Sequence, residues 1–326
     1  MRLSLPLCSL LGIAALTASA EAAVEIKELP DKVTVEIGGK PFTEYHYTDA
    51  PHVYFYPLFG PGGAKMTRDW PMKDTPNEAH DHFHHRSLWF SHGLVNGVDF
   101  WSEPGSTGGK PSKIPLGQIV HDKFLKVQGG EKEGVIEDQL KWVAPDGSTT
   151  LTSVQTFKVY DGPDTERVFD FVVALKAGEK DVVFEDTKEG SMALRINESM
   201  RLTHGKTPGE GHLVDSAGDK DGEVWGKHSA WADYSGPVDG KTVGIAFFDS
   251  PSNPRHPTRW HARDYGLFAA NPFCEHLMDK AQPAGAGDFK IPAGQTATFK
   301  YRFILHEGDA TQAKIAERFA AYAAEK

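Results

Sequence analysis

The sequence predicts an all-β chain, a large β-sandwich closed by one C-terminal helix. Apolar and polar residues alternate with the period of a pleated strand through most of the 326 residues. Turn residues punctuate that alternation at strand-length intervals, and helical spacing occurs only near the end of the chain.

Val24 to Leu29 and Val33 to Ile37 alternate apolar and polar, with Pro30-Asp31 as the turn between them. Gly38-Gly39-Lys40 then leads into a third strand over Phe42 to Tyr47. A longer hairpin runs from Val135 to Tyr160 and turns at Pro145-Asp146-Gly147; its second arm, from Leu151, is rich in Thr and Val. Arg167 to Leu175, Ala193 to Leu202, Val243 to Phe248 and Thr298 to Leu305 read as further strands. Ile315, Phe319 and Tyr322 fall at helical spacing, with Asp309 or Thr311 as N-cap. Irregular segments are expected at 57–86, 102–118, 204–242 and 249–293. They carry Trp, His, Arg and Tyr rather than solvating filler, which marks them as ordered, site-building loops.

Arg2, the apolar run Leu3 to Ala18 and the small residues after it have the form of an export signal. Residues 1–22 are therefore expected to be a signal peptide, 23–326 a single β-sandwich domain, and the protein secreted or periplasmic. Cys8 stands too early for a lipid-anchored cysteine. Cys274 is then the one cysteine left, so the fold must rely on its core rather than on a disulfide. No apolar run approaches the ~18 residues a membrane span needs. The formal charge of −10 argues against nucleic acid and anionic membranes as partners and favours a neutral small-molecule or oligosaccharide substrate.

Two segments carry the chemistry. The first runs from His80-Asp81-His82-Phe83-His84-His85-Arg86 through Trp89, His92, Asn96 and Asp99 to Trp101. It holds five of the chain's 15 histidines within 13 residues. An extended backbone would put His80, His82 and His84 on one face, as a divalent metal site needs. An irregular one would offer imidazoles as general acid or base, or as ties for the loop backbone. Trp89 and Trp101 suit the faces of sugar rings and equally suit a core. Gly93 and Gly97 mark tight turns, and Asp99 is placed to orient a histidine or bind a hydroxyl.

The second segment runs from Phe248 to Phe273, and three prolines within seven positions, Pro251 to Pro257, make it rigid there. Arg255, Arg259 and Arg263 offer guanidinium forks, and His261 and Tyr265 can carry protons. Pairing of Arg263 with Asp264 or Asp249 would instead staple the loop. Glu185, Asp186, Glu189, Arg195 and Glu198 are lesser candidates. Glu275 follows Asn271 and is placed to supply a carboxylate. No serine nucleophile elbow, phosphate-binding loop, dinucleotide fingerprint or Cys-x-x-Cys pair is present.

These stretches resemble a family of secreted bacterial proteins labelled PmoA. The matching residues are Asp81-His82-x-His84-His85-Arg86-Ser87-Leu88-Trp89-Phe90, His92-Gly93-x-x-Asn96-Gly97-Val98-Asp99-Phe100-Trp101, Glu185 to Gly190, Pro251 to Pro257 and Arg263 to Phe268. A particulate methane oxygenase subunit spans a membrane, and this chain has no spanning run, so no oxygenase activity is carried over. More distantly, Pro57-Leu58-Phe59-Gly60 followed by His92-Gly93-x-x-x-Gly97-x-x-x-Trp101 resembles aldose 1-epimerases (galactose mutarotases). That resemblance implies a galactose-mutarotase-like β-supersandwich, with His92 contacting the sugar. The motif's second glycine is Leu94 here and its second histidine motif is not found, so the fold is carried over further than the activity.

The expectation is a carbohydrate-active protein working by acid–base chemistry as an epimerase, lyase or hydrolase, with a non-catalytic sugar-binding protein as the alternative. His84, His92, His261 and Glu275 are the expected catalytic residues. His82, His85, Arg86, Trp89, Asn96, Asp99, Trp101, Arg195, Arg255, Arg263, Asp264, Tyr265 and Asn271 are the expected substrate contacts. No cofactor is expected, with a divalent metal at the His80–His85 cluster as the alternative. The two segments are expected to meet in one groove.

Overall fold

The computed structural model describes residues 23–106 and 112–325; the signal-peptide expectation lies outside them. Two eight-stranded antiparallel sheets pack face to face. The first runs, edge to edge, through Val24–Glu28, Lys32–Ile37, Lys40–His46, Tyr54–Leu58, Leu88–His92, Gly190–Arg195, Leu267–Ala270 and Trp260–Ala262. The second runs through His212–Asp215, Trp231–Val238, Lys241–Asp249, Thr296–Glu307, Glu166–Ala177, Thr149–Tyr160, Glu133–Val143 and Gln118–Gln128. The large β-sandwich that the alternation predicts is the one that forms.

Alternation decides what lies between the sheets. In Glu133–Val143 and Thr149–Tyr160 every second residue is buried, so Ile136, Leu140, Trp142, Leu151 and Phe157 face inward. They meet the inner face of the first sheet through ring contacts such as Phe55 with Phe157 at 4.3 Å and Phe90 with Trp142 at 6.2 Å. The helix Ile315–Ala323 covers the outer face of the second sheet, packing Ile315, Phe319 and Tyr322 on Ala246, Phe248 and Ile304. That leaves the outer face of the first sheet for other uses.

Four expectations are corrected. The strand predicted to reach Leu202 ends at Arg195, because Asn197 turns its side chain back onto the Ser199 amide and opens a 3-10 turn. The stretches 204–242 and 249–293, expected to be irregular, contain the strands His212–Asp215 and Trp231–Val238, and Trp260–Ala262, Leu267–Ala270 and Phe289–Ile291 respectively. Gly236 and Pro237 hid Trp231–Val238, and Pro237 is tolerated because the neighbouring short strand ends its pairing at Ser235. The helix is not capped by Asp309 or Thr311: Asp309 accepts the Thr311 and Gln312 amides of the preceding turn, and left-handed Lys314 starts the helix.

Candidate functional site

Strand order assembles the site. Leu88–His92, Gly190–Arg195, Leu267–Ala270 and Trp260–Ala262 are consecutive in the first sheet, although they lie far apart in sequence. Their registers place Trp89, Ala193, Ala269 and His261 directly opposite one another, in a row across four strands. Leu88, Phe90, Met192, Leu194, Phe268 and Trp260 belong to the main core, so this row faces outward. At the usual strand spacing, the Trp89 and His261 backbones stand about 14 Å apart across two alanines. The row is therefore a low strip, a trough in the sheet's outer face with a large ring at each end, and all four residues are buried beneath what covers it.

The histidine loop lies over this trough. His85 stacks on Trp89 at 5.4 Å and His84 stands 4.4 Å from His85, edge to face. His82 stacks flat on His85 at 4.8 Å and on Tyr265 at 4.9 Å, which joins the two predicted segments. Trp101 packs against His84, His85 and Trp89. The two segments do touch, through His82 and Tyr265, and His84, His85, Trp89, Trp101, Arg195 and Arg263 lie around that contact, with His261 at the far end of the row.

Arg68 holds the loop in place. Fully buried, it donates to the carbonyls of Trp70, Ala79, Asp81 and His82 and to the Asp81 carboxylate. Arg195, also fully buried, donates to the same Asp81 oxygen at 2.8 Å and contacts His85 Nδ1 at 3.3 Å. His82 and Ser87 sit at φ 38° and 55°, a left-handed strain that persists only where surrounding contacts impose it.

Glu189 brings in a carboxylate. Asn271 donates to the Thr187 carbonyl, and Asp186 accepts the amides of Glu275, His276 and Gly287, fixing the segment that presents it. Gly93 lets that segment approach: its amide donates to the Glu189 carbonyl at 2.6 Å, and a Cβ there would lie 2.8 Å from Glu189 Cβ. Burial alone would raise the Glu189 carboxyl, but the His261 ring and the Lys188 ammonium, 2.6 Å away, bring it below the usual carboxylate range. It is ionised at neutral pH.

The imidazoles of His84, His85 and His261 are neutral. Burial pushes His84 down to about 3, with the nearby His82 ring adding to it, and pushes His261 down to about 4 against the charge of Glu189. His85 lies well below its ordinary value for the same reason. Burial raises the Tyr265 hydroxyl to about 12 despite Arg263 and Arg195, and it stays protonated. His84 Nδ1, His85 Nε2, both ring nitrogens of His261, Arg195 Nε and Trp101 Nε1 are buried with no hydrogen-bond partner among the described residues. The Lys188 carbonyl lies near the His261 ring without reaching normal hydrogen-bond geometry. Buried polar atoms are almost always partnered, so this concentration of unpartnered atoms in one place makes the row the candidate site.

Other expected residues serve the frame instead. His92 points to the core side of its strand, against Phe184 and Phe273, and its ring lies 2.8 Å from the Glu185 carbonyl and 3.2 Å from Ser191 Oγ. The strand's alternation separates it from Trp89, so it does not join His84 and His261. Glu275 is spent on Arg259 and His228. Arg255 donates to the carbonyls of Pro272, Gly287 and Asp288. Asn96 ties down Asp181 and Val183, Asp99 accepts the Trp101 and Ser102 amides, and Asp264 accepts from Thr203. Arg86 forks onto Glu103, which also lies 3.7 Å from buried His52. Arg263 pairs with neither Asp264 nor Asp249, whose carboxylate is taken by Asn253, His256 and Thr258.

His80 also leaves the cluster, stacking on Trp70 at 3.9 Å and meeting Asp74 at 3.1 Å, so His80, His82 and His84 share no face. Among the described residues, no three His, Cys, Asp or Glu side chains gather as metal ligands. No described helix is long and apolar enough to cross a membrane. Arg68 and Glu103 were missed by the sequence analysis, and nothing in their local pattern signals them. Glu189 had a signal, standing beside Gly190 at a strand start.

No curated protein matches the chain. Among solved structures, it is similar to the GalM/aldose epimerase homologue from C. elegans, with 7% identity, 88% of this chain and 99% of that chain covered, and a TM-score of 0.32. That likeness is too slight to bear on fold or function. The profile of a family of unknown function, DUF6807, matches residues 32–320, and the chain belongs to that family.

Proposed function

We propose that this is an exported protein whose trough binds a saccharide and moves a proton on it, in the manner of an epimerase or a lyase. The reading is carried by the unpartnered buried nitrogens of His84, His85 and His261, with Glu189 near enough to His84 and His261 for its charge to act on both. Neutral imidazoles donate and accept, as sugar hydroxyls do. Ionised Glu189 is the base, protonated Tyr265 and the imidazoles are donors, and Trp89 and Trp101 supply apolar wall. Hydrolysis between two carboxylates is less well supported, because the other carboxylate nearby, Asp81, is held by two arginines.

The test is hydrogen exchange from solvent deuterium into a panel of monosaccharides and glycosides, with binding followed by calorimetry and the metal content of the purified protein measured alongside. Exchange that falls about 10²–10⁴-fold in Glu189→Gln, with binding retained, supports the reading. Binding without exchange in the wild type would make this a sugar-binding module. A divalent metal lost in His84→Ala would make it a metal enzyme.

A further inference from the structure

The charge of that saccharide follows from groups the proton transfer does not use. Arg68 and Arg195 share the single carboxylate of Asp81, and Lys188 is matched by Glu189. Among the described residues Arg263 has no carboxylate partner: its guanidinium lies over the Trp225 ring at 5.7 Å and the Tyr265 ring at 5.3 Å, without an ion pair or hydrogen bond. Arg68, Arg195, Lys188 and Arg263 stand against Asp81, Glu189 and Asp264, so the site keeps a local positive excess on a chain of net charge −10, and the local field, not the net charge, meets the ligand.

A cavity of about 330 Å³ lies beside Arg263, lined by Gly222, Trp225, Ala262, Arg263 and Asp264. Trp225 is on its wall, and the indole N–H of that residue is buried with no hydrogen-bond partner among the described residues. Asp264 Oδ2, on the same wall, already accepts from Thr203 Oγ1 at 3.2 Å. Tyr265 connects this corner to the histidines, since its ring touches Arg263, Arg195 and His82. An unpaired guanidinium, an indole donor and open volume next to a saccharide trough ask for an acceptor that carries negative charge.

We propose that the saccharide carries an oxyanion, a uronate carboxylate or a sulfate ester, seated on Arg263 and the Trp225 N–H. This rests on the saccharide reading above and replaces the neutral substrate expected from net charge. Recognition is by donation only: the Arg263 guanidinium and the indole give hydrogen bonds, and the anion accepts them.

Calorimetry on the full mature chain tests it with matched sets: glucose, galactose and mannose, the corresponding uronates, and the 6-sulfates. Arg263→Met and Arg263→Lys are measured beside the wild type, with melting curves confirming that each variant is folded. At least one acidic sugar should bind about ten- to a hundredfold more tightly than its neutral parent. Arg263→Met should bring that ratio close to one, and Arg263→Lys should keep part of it. The uronate and sulfate arms tell the two anions apart. Neutral parents binding as tightly as their acidic partners would overturn the oxyanion seat and leave the saccharide reading standing. Acetate or sulfate binding that Arg263→Met abolishes, with no sugar bound, would support the seat and overturn the saccharide reading. No binding by any sugar or simple oxyanion would overturn both.

Discussion

Replacing Asp81 with Asn removes one charge and strands two. The carboxylate accepts Arg68 Nη1 at 2.5 Å and Arg195 Nη2 at 2.8 Å on the same oxygen, and both guanidiniums are fully buried. Hydrogen bonds to a charged group contribute roughly 1.5–3 kcal/mol each. The Asp81 side chain is 36% exposed, so water screens it, and the lower end of the sum, about 3 kcal/mol, applies. Unfolding entropy of about 2.1 cal/mol/K per residue over roughly 300 residues converts this to a fall of about 5 °C in melting temperature.

Scanning calorimetry at pH 7 is the assay, with Arg195→Met and the double variant completing a cycle. The double variant should lose about 1–2 kcal/mol less than the sum of the singles, because Arg195→Met removes a cation left unpaired by Asp81→Asn. A melting temperature within about 1 °C of wild type, or strict additivity, would refute the reasoning. Burial raises the Asp81 carboxyl, but the His82 hydrogen bond and the charges of Arg195 and Arg68 outweigh it and hold the group well below the usual carboxylate range. Its contribution is therefore whole above about pH 4 and is lost as pH falls through the lower folded value.

Burial of His84 and His261 lowers their folded values to about 3 and about 4, so below the ordinary value of about 6.5 the unfolded chain binds more protons. Melting temperature should fall between pH 7.5 and 5, and ring-nitrogen NMR should show both imidazoles neutral throughout; either ring titrating near 6.5 would remove it from the buried trough. Gly93→Ala drives a Cβ to 2.8 Å from Glu189 Cβ and 3.0 Å from its carbonyl, at a cost of about 1–3 kcal/mol. Saccharide affinity measured by calorimetry should weaken with it, and an unchanged affinity would take Glu189 out of the site. Arg255→Met removes donors to three carbonyls and should lower stability by about 2 kcal/mol in denaturant melts while leaving saccharide affinity unchanged; a selective loss of affinity would return Arg255 to the binding site.

The alternation of Val24 to Ile37, Val135 to Tyr160 and Thr298 to Leu305 determined the fold class, because a half-buried strand writes its period directly into the chain. The density of His, Trp and Arg in two segments marked the chemistry for the same reason: those side chains are seldom placed together to no end. Alternation from Trp89 also fixes that His92 faces the other way, but only once both are known to lie on one strand. Strands broken by Gly236 and Pro237 were illegible, since their pairing rather than their composition sustains them.

Tertiary structure alone decided which side chains meet. Trp89, Ala193, Ala269 and His261 form one row because their strands are neighbours in the sheet, and the registers that align them are set across separations no local pattern encodes. The same holds for Arg68 and Arg195 converging on Asp81, and for Glu189 reaching the histidines past Gly93. Sequence carries the period of a strand and the chemistry of a side chain. Neutral imidazoles, an ionised carboxylate and an unpaired guanidinium in one trough arise from burial and proximity, which exist only when the chain is folded.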